Sequence, residues 1–171
     1  MLGMLIGSCI ALSNLEPLTV VGDESLSRIC EQAAADAIVE FNALGLKRDQ
    51  FAVALGRPQD GGLQIGSYRG SEPFYPASVV KLFYLAYSAF QADAGKLSIT
   101  PELDRAEQDM IVESSNDATH AVLDAVTMTT GGPELKGKAY EQWCTKRNAV
   151  NRWLASRGYA GINANQKTWC E

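Results

Sequence analysis

The chain has 171 residues, 46% of them hydrophobic and 20% charged, which is the composition of an ordinary globular protein with one core. Its formal net charge is −5, and its acidic and basic residues are interspersed. Because binding to a polyanion requires clustered Lys and Arg, the charge pattern argues against a nucleic-acid partner.

Residues 1–22 are predicted to form an apolar N-terminal segment that is the remnant of an export signal. Its first twelve residues, MLGMLIGSCIAL, are too short to span a bilayer and lack a basic n-region. The stretch Ile6-Gly7-Ser8-Cys9 resembles a lipoprotein processing site, and a frayed apolar terminus is the alternative. We expect a periplasmic or secreted protein, with lipid anchoring as a variant, and no stable membrane span.

The four cysteines Cys9, Cys30, Cys144 and Cys170 contain no C-x-x-C pair, and the chain has a single histidine. A zinc site is therefore not expected, and no cofactor is predicted. In an exported protein Cys144 and Cys170 could pair, whereas free buried thiols are the alternative.

The first elements in chain order are a helix and a hairpin. Apolar residues recur at near-helical spacing over 25–44, and Gly45 is the predicted stop. Two apolar runs, 51–55 and 63–68, flank the turn sequence Asp60-Gly61-Gly62, which predicts two paired strands.

The next element, a helix that opens at Ser78 and stops near Gly95, has apolar residues on nearly every face and is predicted to lie inside the protein. Thr100 and Pro101 open another helix that runs to about Val112.

A polar cluster interrupts the helical pattern before it resumes at Ala118, with Asn116 or Asp117 as the expected cap. The last predicted helix covers 148–156 and is ended by Gly158.

This order predicts an α+β fold in which one hairpin of an antiparallel sheet precedes a helical half. A hairpin alone is marginally stable, and its outer edge needs a partner. We therefore expect residues 23–171 to be one domain whose C-terminal strands are missing, as in a truncated reading frame.

Chemistry is indicated by Lys81, the one charged residue in the apolar run, which follows Ser78 by three positions. That spacing places both side chains on one helix face, so that the amine can reach the hydroxyl. Burial lowers a lysine pKa and makes the amine usable as a base for a serine nucleophile. The Ser78 N–H, at the positive end of the helix, could bind a developing oxyanion. The alternative is a helix-capping serine beside a lysine that extends to solvent.

A second motif, Ser114-Ser115-Asn116, lies between two predicted helices. Its first hydroxyl could relay a proton between a lysine and a leaving nitrogen, and its amide offers a donor and an acceptor to a substrate amide. The alternative is an ordinary capping loop.

Together these motifs resemble those of the penicillin-interacting serine hydrolases, and most closely the class A β-lactamases, whose signature is S-x-x-K, S-D-N and K-T-G. Ser78-Val79-Val80-Lys81 matches the first motif. Ser114-Ser115-Asn116 matches the second, with Ser in place of Asp. The resemblance covers roughly residues 25–165. It implies a β-lactamase/DD-peptidase-like fold in which Ser78 is acylated, Lys81 is the base, Ser114 shuttles protons and Asn116 contacts substrate.

The third motif and the deacylating Glu of that family are not identified in this chain. Lys167-Thr168-Trp169 begins like K-T-G but has Trp instead of Gly and follows Ser114 too closely. Glu113 and the terminal Glu171 are poor candidates for the acid. The predicted fragment would be inactive by itself.

Three functions remain open. The first is hydrolysis of a β-lactam amide through an acyl-enzyme on Ser78. The second is a D-alanyl-D-alanine peptidase or penicillin-binding acyl-transferase, and the third is a non-catalytic binding or sensor module. The expected partner is a small β-lactam or a peptidoglycan-like peptide, bound by a monomer.

Overall fold

The secondary structure is of the α+β class, as predicted. The computed structural model describes residues 18–164, in which six α-helices accompany a small mixed sheet of three strands. These residues form two compact units, 18–75 and 76–164, called here the sheet unit and the helical unit. Among the described residues, no helix has the length and apolarity needed to cross a membrane.

The sheet consists of β1 (Thr19–Gly22), β2 (Val53–Gln59) and β3 (Gly62–Tyr68) in the order β1-β3-β2. The predicted hairpin is confirmed, since β2 and β3 pair antiparallel across a turn at Gly61, whose φ is 73°. The expectation of an antiparallel sheet is corrected, because β1 pairs parallel with β3.

The parallel pair is possible because a helix and a strand separate β1 from β3, long enough a connection for a crossover. β1 was not predicted, and it occupies the end of the expected N-terminal segment 1–22.

The first helix, α1 (Glu24–Phe41), is fixed at its start by Asp23. The Asp23 carboxylate accepts a hydrogen bond from the Leu26 N–H at 2.9 Å, which satisfies one of the free donors of the first turn. The helix lies directly against β3, where a Cβ on Gly66 would come within 2.2 Å of the Ser27 nitrogen. The chain leaves α1 through a 3₁₀ turn, Asn42–Leu44, that ends at Gly45, the predicted stop, with φ 81°.

The helical unit contains α2 (Val80–Asp93), α3 (Pro101–Val112), α4 (Asn116–Thr127), α5 (Gly137–Arg147) and α6 (Ala149–Ser156). All but α5 were predicted within a few residues. The α5 sequence GKAYEQWCTKR has no continuous apolar stripe, and of its residues only Arg147 is buried. Periodicity therefore gave no signal for it.

The core of the helical unit is formed by apolar side chains from α2, α3, α4 and α6, together with one residue after α6: Val80, Tyr84, Tyr87, Leu103, Met110, Val122, Leu123, Val126, Val150, Leu154 and Ala164. Helix α2 buries one face in this core. Val79, just before it, and Leu82 are 63% and 58% exposed. The prediction that this helix is buried on nearly every face is therefore wrong for the described residues.

Cys30 is buried and Cys144 half-buried, and both are free thiols among the described residues. Cys9 and Cys170 lie outside those residues, as does the stretch Lys167-Thr168-Trp169. The pairing of Cys144 with Cys170 stays a prediction.

Candidate active site

Ser78 lies in a 3₁₀ turn, Ala77–Val79, that leads directly into α2. It is exposed to solvent. In this turn the Val79 N–H donates to the Pro76 carbonyl at 3.1 Å, and the Val80 N–H bonds back to Ala77. The Ser78 hydroxyl is therefore held at the solvent-facing start of the central helix.

Lys81 belongs to the first turn of α2 and is 2% exposed. Burial lowers the pKa of its amine below the ordinary value of 10.5, because the charged form loses its hydration. A lysine so placed needs hydrogen-bond partners for its three donors.

Those partners come from the junction between α3 and α4. The Lys81 Nζ donates to the Ser114 hydroxyl at 3.0 Å, to the Asn116 Oδ1 at 3.0 Å and to the Ser114 carbonyl. Three of the four predicted site residues are thus brought together by one buried amine. A hydrogen bond to the Ser78 hydroxyl is not among these three contacts of the described residues, although Ser78 lies only three positions earlier.

The junction itself is shaped by local hydrogen bonds. The N–H groups of Glu113 and Ser115 both donate to the Asp109 carbonyl, at 3.2 and 3.1 Å. The Ser115 hydroxyl accepts a hydrogen bond from the Ala118 N–H at 3.2 Å and is the N-cap of α4. The cap was predicted at Asn116 or Asp117, one or two residues too late. In a run of four polar residues each can cap, and only the observed start of the helix decides which one does.

Both serines of the site are associated with left-handed backbone. Four non-glycine residues of the described chain have positive φ, and Ser114 (52°) and Ala77 (46°), directly before Ser78, are two of them. Such conformations cost roughly 1–3 kcal/mol each and cluster at functional sites. Ala77 and Ser115 were not identified from the sequence, because neither residue type signals a left-handed turn or a specific cap here.

Acidic side chains do not reach the Lys81 amine directly, since its contacts on the described residues are the three oxygens of Ser114 and Asn116. Glu113, considered above as an acid, is exposed at the end of α3. Glu171 lies outside the described residues. Within 18–164, no group of three His, Cys, Asp or Glu side chains could hold a metal ion.

The arrangement can therefore perform proton transfer between a buried amine and exposed hydroxyls, next to an amide that can orient a substrate. Comparison of the chain with protein-family models, curated proteins and solved structures gives no match.

Proposed function

We propose that this chain is a serine hydrolase of the β-lactamase type that forms an acyl-enzyme on Ser78. The observation that carries the proposal is the buried Lys81 amine in hydrogen-bond contact with the Ser114 hydroxyl and the Asn116 amide, one turn after an exposed serine. Sequence resemblance supplies the β-lactam substrate class, and the contacts supply a base, a relay and a substrate-binding group.

In the proposed reaction, the neutral Lys81 amine exchanges one of its present contacts for the Ser78 hydroxyl and accepts its proton. The Ser78 oxygen attacks the lactam carbonyl, and the oxyanion is bound by the Ser78 N–H at the positive start of α2. The proton then passes through Lys81 and Ser114 to the leaving nitrogen. The Asn116 side chain orients the substrate amide.

A second candidate is a penicillin-binding acyl-transferase or D-alanyl-D-alanine peptidase. It is favoured by the absence of a carboxylate among the three contacts of the Lys81 amine on the described residues. Without a carboxylate to activate water, a β-lactam acyl group on Ser78 would persist instead of being hydrolysed.

The test is to incubate the folded chain with a fluorescent penicillin and a chromogenic cephalosporin, and to locate any adduct by peptide mass spectrometry. We expect one adduct per chain on Ser78, loss of the adduct in Ser78→Ala, and retention in Ser71→Ala, which removes an exposed serine of the sheet unit. Turnover of the cephalosporin supports the hydrolase, and a stable adduct supports the acyl-transferase.

A folded chain that acquires no adduct on Ser78 contradicts both catalytic candidates. Saturable binding of penicillin without an adduct would then favour the third function, a binding or sensor module.

A further inference from the structure

Ser114 is the serine whose hydroxyl actually contacts the Lys81 amine. The Nζ to Oγ distance is 3.0 Å, within the range over which a base takes a proton. Lys81 is almost completely buried, whereas Ser114 is exposed to solvent. The pair therefore combines a dehydrated base with an accessible hydroxyl.

The backbone at Ser114 fixes this geometry. Its φ of 52° lies in the left-handed region, and its carbonyl also accepts a hydrogen bond from the Lys81 amine. Both the main chain and the side chain of Ser114 are thus tied to one nitrogen. A serine that only capped a helix would need neither contact, and that task is performed here by Ser115.

We propose that Ser114 is a second nucleophile, which forms with Lys81 a serine–lysine dyad that accepts acyl groups from activated aryl esters without the help of Ser78. Nucleophilic serines paired with a nearby base follow the general pattern of covalent catalysis. The inference does not rest on the reaction proposed for Ser78, because the dyad contains neither that hydroxyl nor its N–H.

With p-nitrophenyl acetate as the acyl donor, the step balances as follows. The neutral Lys81 amine takes the proton of the Ser114 hydroxyl, and the Oγ forms a bond to the acetyl carbonyl carbon. The bond between that carbon and the aryl oxygen breaks, and p-nitrophenolate leaves with the electron pair. The proton on Lys81 passes to solvent, and Ser114 carries an acetyl ester.

The experiment compares wild type, Ser78→Ala, Ser114→Gly and the double variant after treatment with p-nitrophenyl acetate. Glycine is used at position 114 because it adopts a positive φ without steric cost and so preserves the turn. Circular dichroism checks the fold, the p-nitrophenolate burst counts the acetyl groups, and peptide fragmentation separates Ser114 from its neighbour Ser115.

We expect Ser78→Ala to keep a burst and an acetyl ester on Ser114, and the double variant to lose both. Lys81→Met in the Ser78→Ala background should reduce acetylation of Ser114 at least tenfold. The proposal is overturned if folded Ser78→Ala carries no acetyl group on Ser114, if it carries no more there than on Ser115, or if the Lys81 substitution has no effect.

The two proposals fail separately. Acetylation of Ser114 in a chain that never acquires a penicillin adduct on Ser78 would reject the β-lactamase function and support the dyad. A penicillin adduct on Ser78 with an unreactive Ser114 would do the opposite.

Discussion

At the scale of single residues, Lys81 is the group on which the candidate chemistry depends. A protonated lysine uses its three donors on Ser114 and Asn116, as the contacts show. A base must be neutral, and burial moves the amine toward that state by lowering its pKa. The same contacts therefore describe the resting ammonium, and loss of one proton converts it into an acceptor.

The first prediction concerns the pH dependence of labelling. Penicillin labelling of Ser78 should rise with pH as the Lys81 amine loses its proton, and because burial lowers its pKa, the midpoint should lie below 10.5. Rates of adduct formation measured between pH 5 and 10 check this.

Lys81→Met should remove the rise and reduce the rate at least about a hundredfold, the lower end of the contribution of a general base. A rate that stays independent of pH in wild type would exclude Lys81 as the base.

At the scale of elements, the site depends on how helices begin. Ser78 is carried by a 3₁₀ turn before α2, and Ser114 and Asn116 flank the residue that caps α4. Each of these positions is defined by a chain end that a local hydrogen bond or a left-handed residue fixes. Small changes at the caps should therefore alter both stability and reactivity.

The second prediction compares two helix caps. Ser115→Ala removes the acceptor for the Ala118 N–H and should lower the free energy of unfolding by about 1 kcal/mol. It should also slow labelling of Ser78, because the loosened junction carries two contacts of Lys81. Ser115→Asp should restore both, since Asp caps as well as Ser and its charge is favourable at a helix N-terminus.

The matched control is Thr100→Ala, which removes the cap of α3 by the same chemistry. The Thr100 hydroxyl accepts from the Leu103 N–H at 3.3 Å, at the other end of α3 from Ser114. Its loss should destabilise the protein by a similar amount without slowing labelling. Equal slowing by both variants would mean that the cap at Ser115 acts only through stability.

At the scale of the whole molecule, the helical unit buries ionisable groups as well as apolar ones. Tyr84 has no exposed surface, and burial raises its pKa to about 12, an effect that the nearby Arg147 charge partly opposes. Lys81 acts with the opposite sign, because an amine with a lowered pKa destabilises the fold while it is protonated.

The third prediction is a loss of stability in alkali. In the unfolded chain Tyr84 ionises near pH 10, whereas in the folded protein it does so near 12, so its stabilising contribution is complete below 10 and is lost as the pH rises to about 12. The loss amounts to about 2–3 kcal/mol, at 1.36 kcal/mol for each pKa unit.

Urea unfolding of wild type and Tyr84→Phe at pH 9 to 12 measures this contribution as the change with pH in the difference between the two proteins. Tyr159→Phe removes an exposed phenol instead and should follow wild type. A difference between wild type and Tyr84→Phe that does not change with pH would contradict the prediction.

The sequence by itself determined the α+β class, five of the six helices, the hairpin and the four residues of the candidate site. These features are local: apolar spacing, turn residues and caps act over a few positions, as at Thr100, Gly61 and Gly45. Only the tertiary structure decided the parallel pairing of β1 with β3 and the presence of the polar helix α5. Each depends on contacts between residues far apart in the chain.

The same distinction holds in the site. Spacing places Lys81 near Ser78, and the folded chain adds contacts with Ser114 and Asn116, more than thirty residues later. A buried ammonium has to use its donors on the oxygens that packing brings to it, and here packing of α2 against the junction between α3 and α4 supplies them.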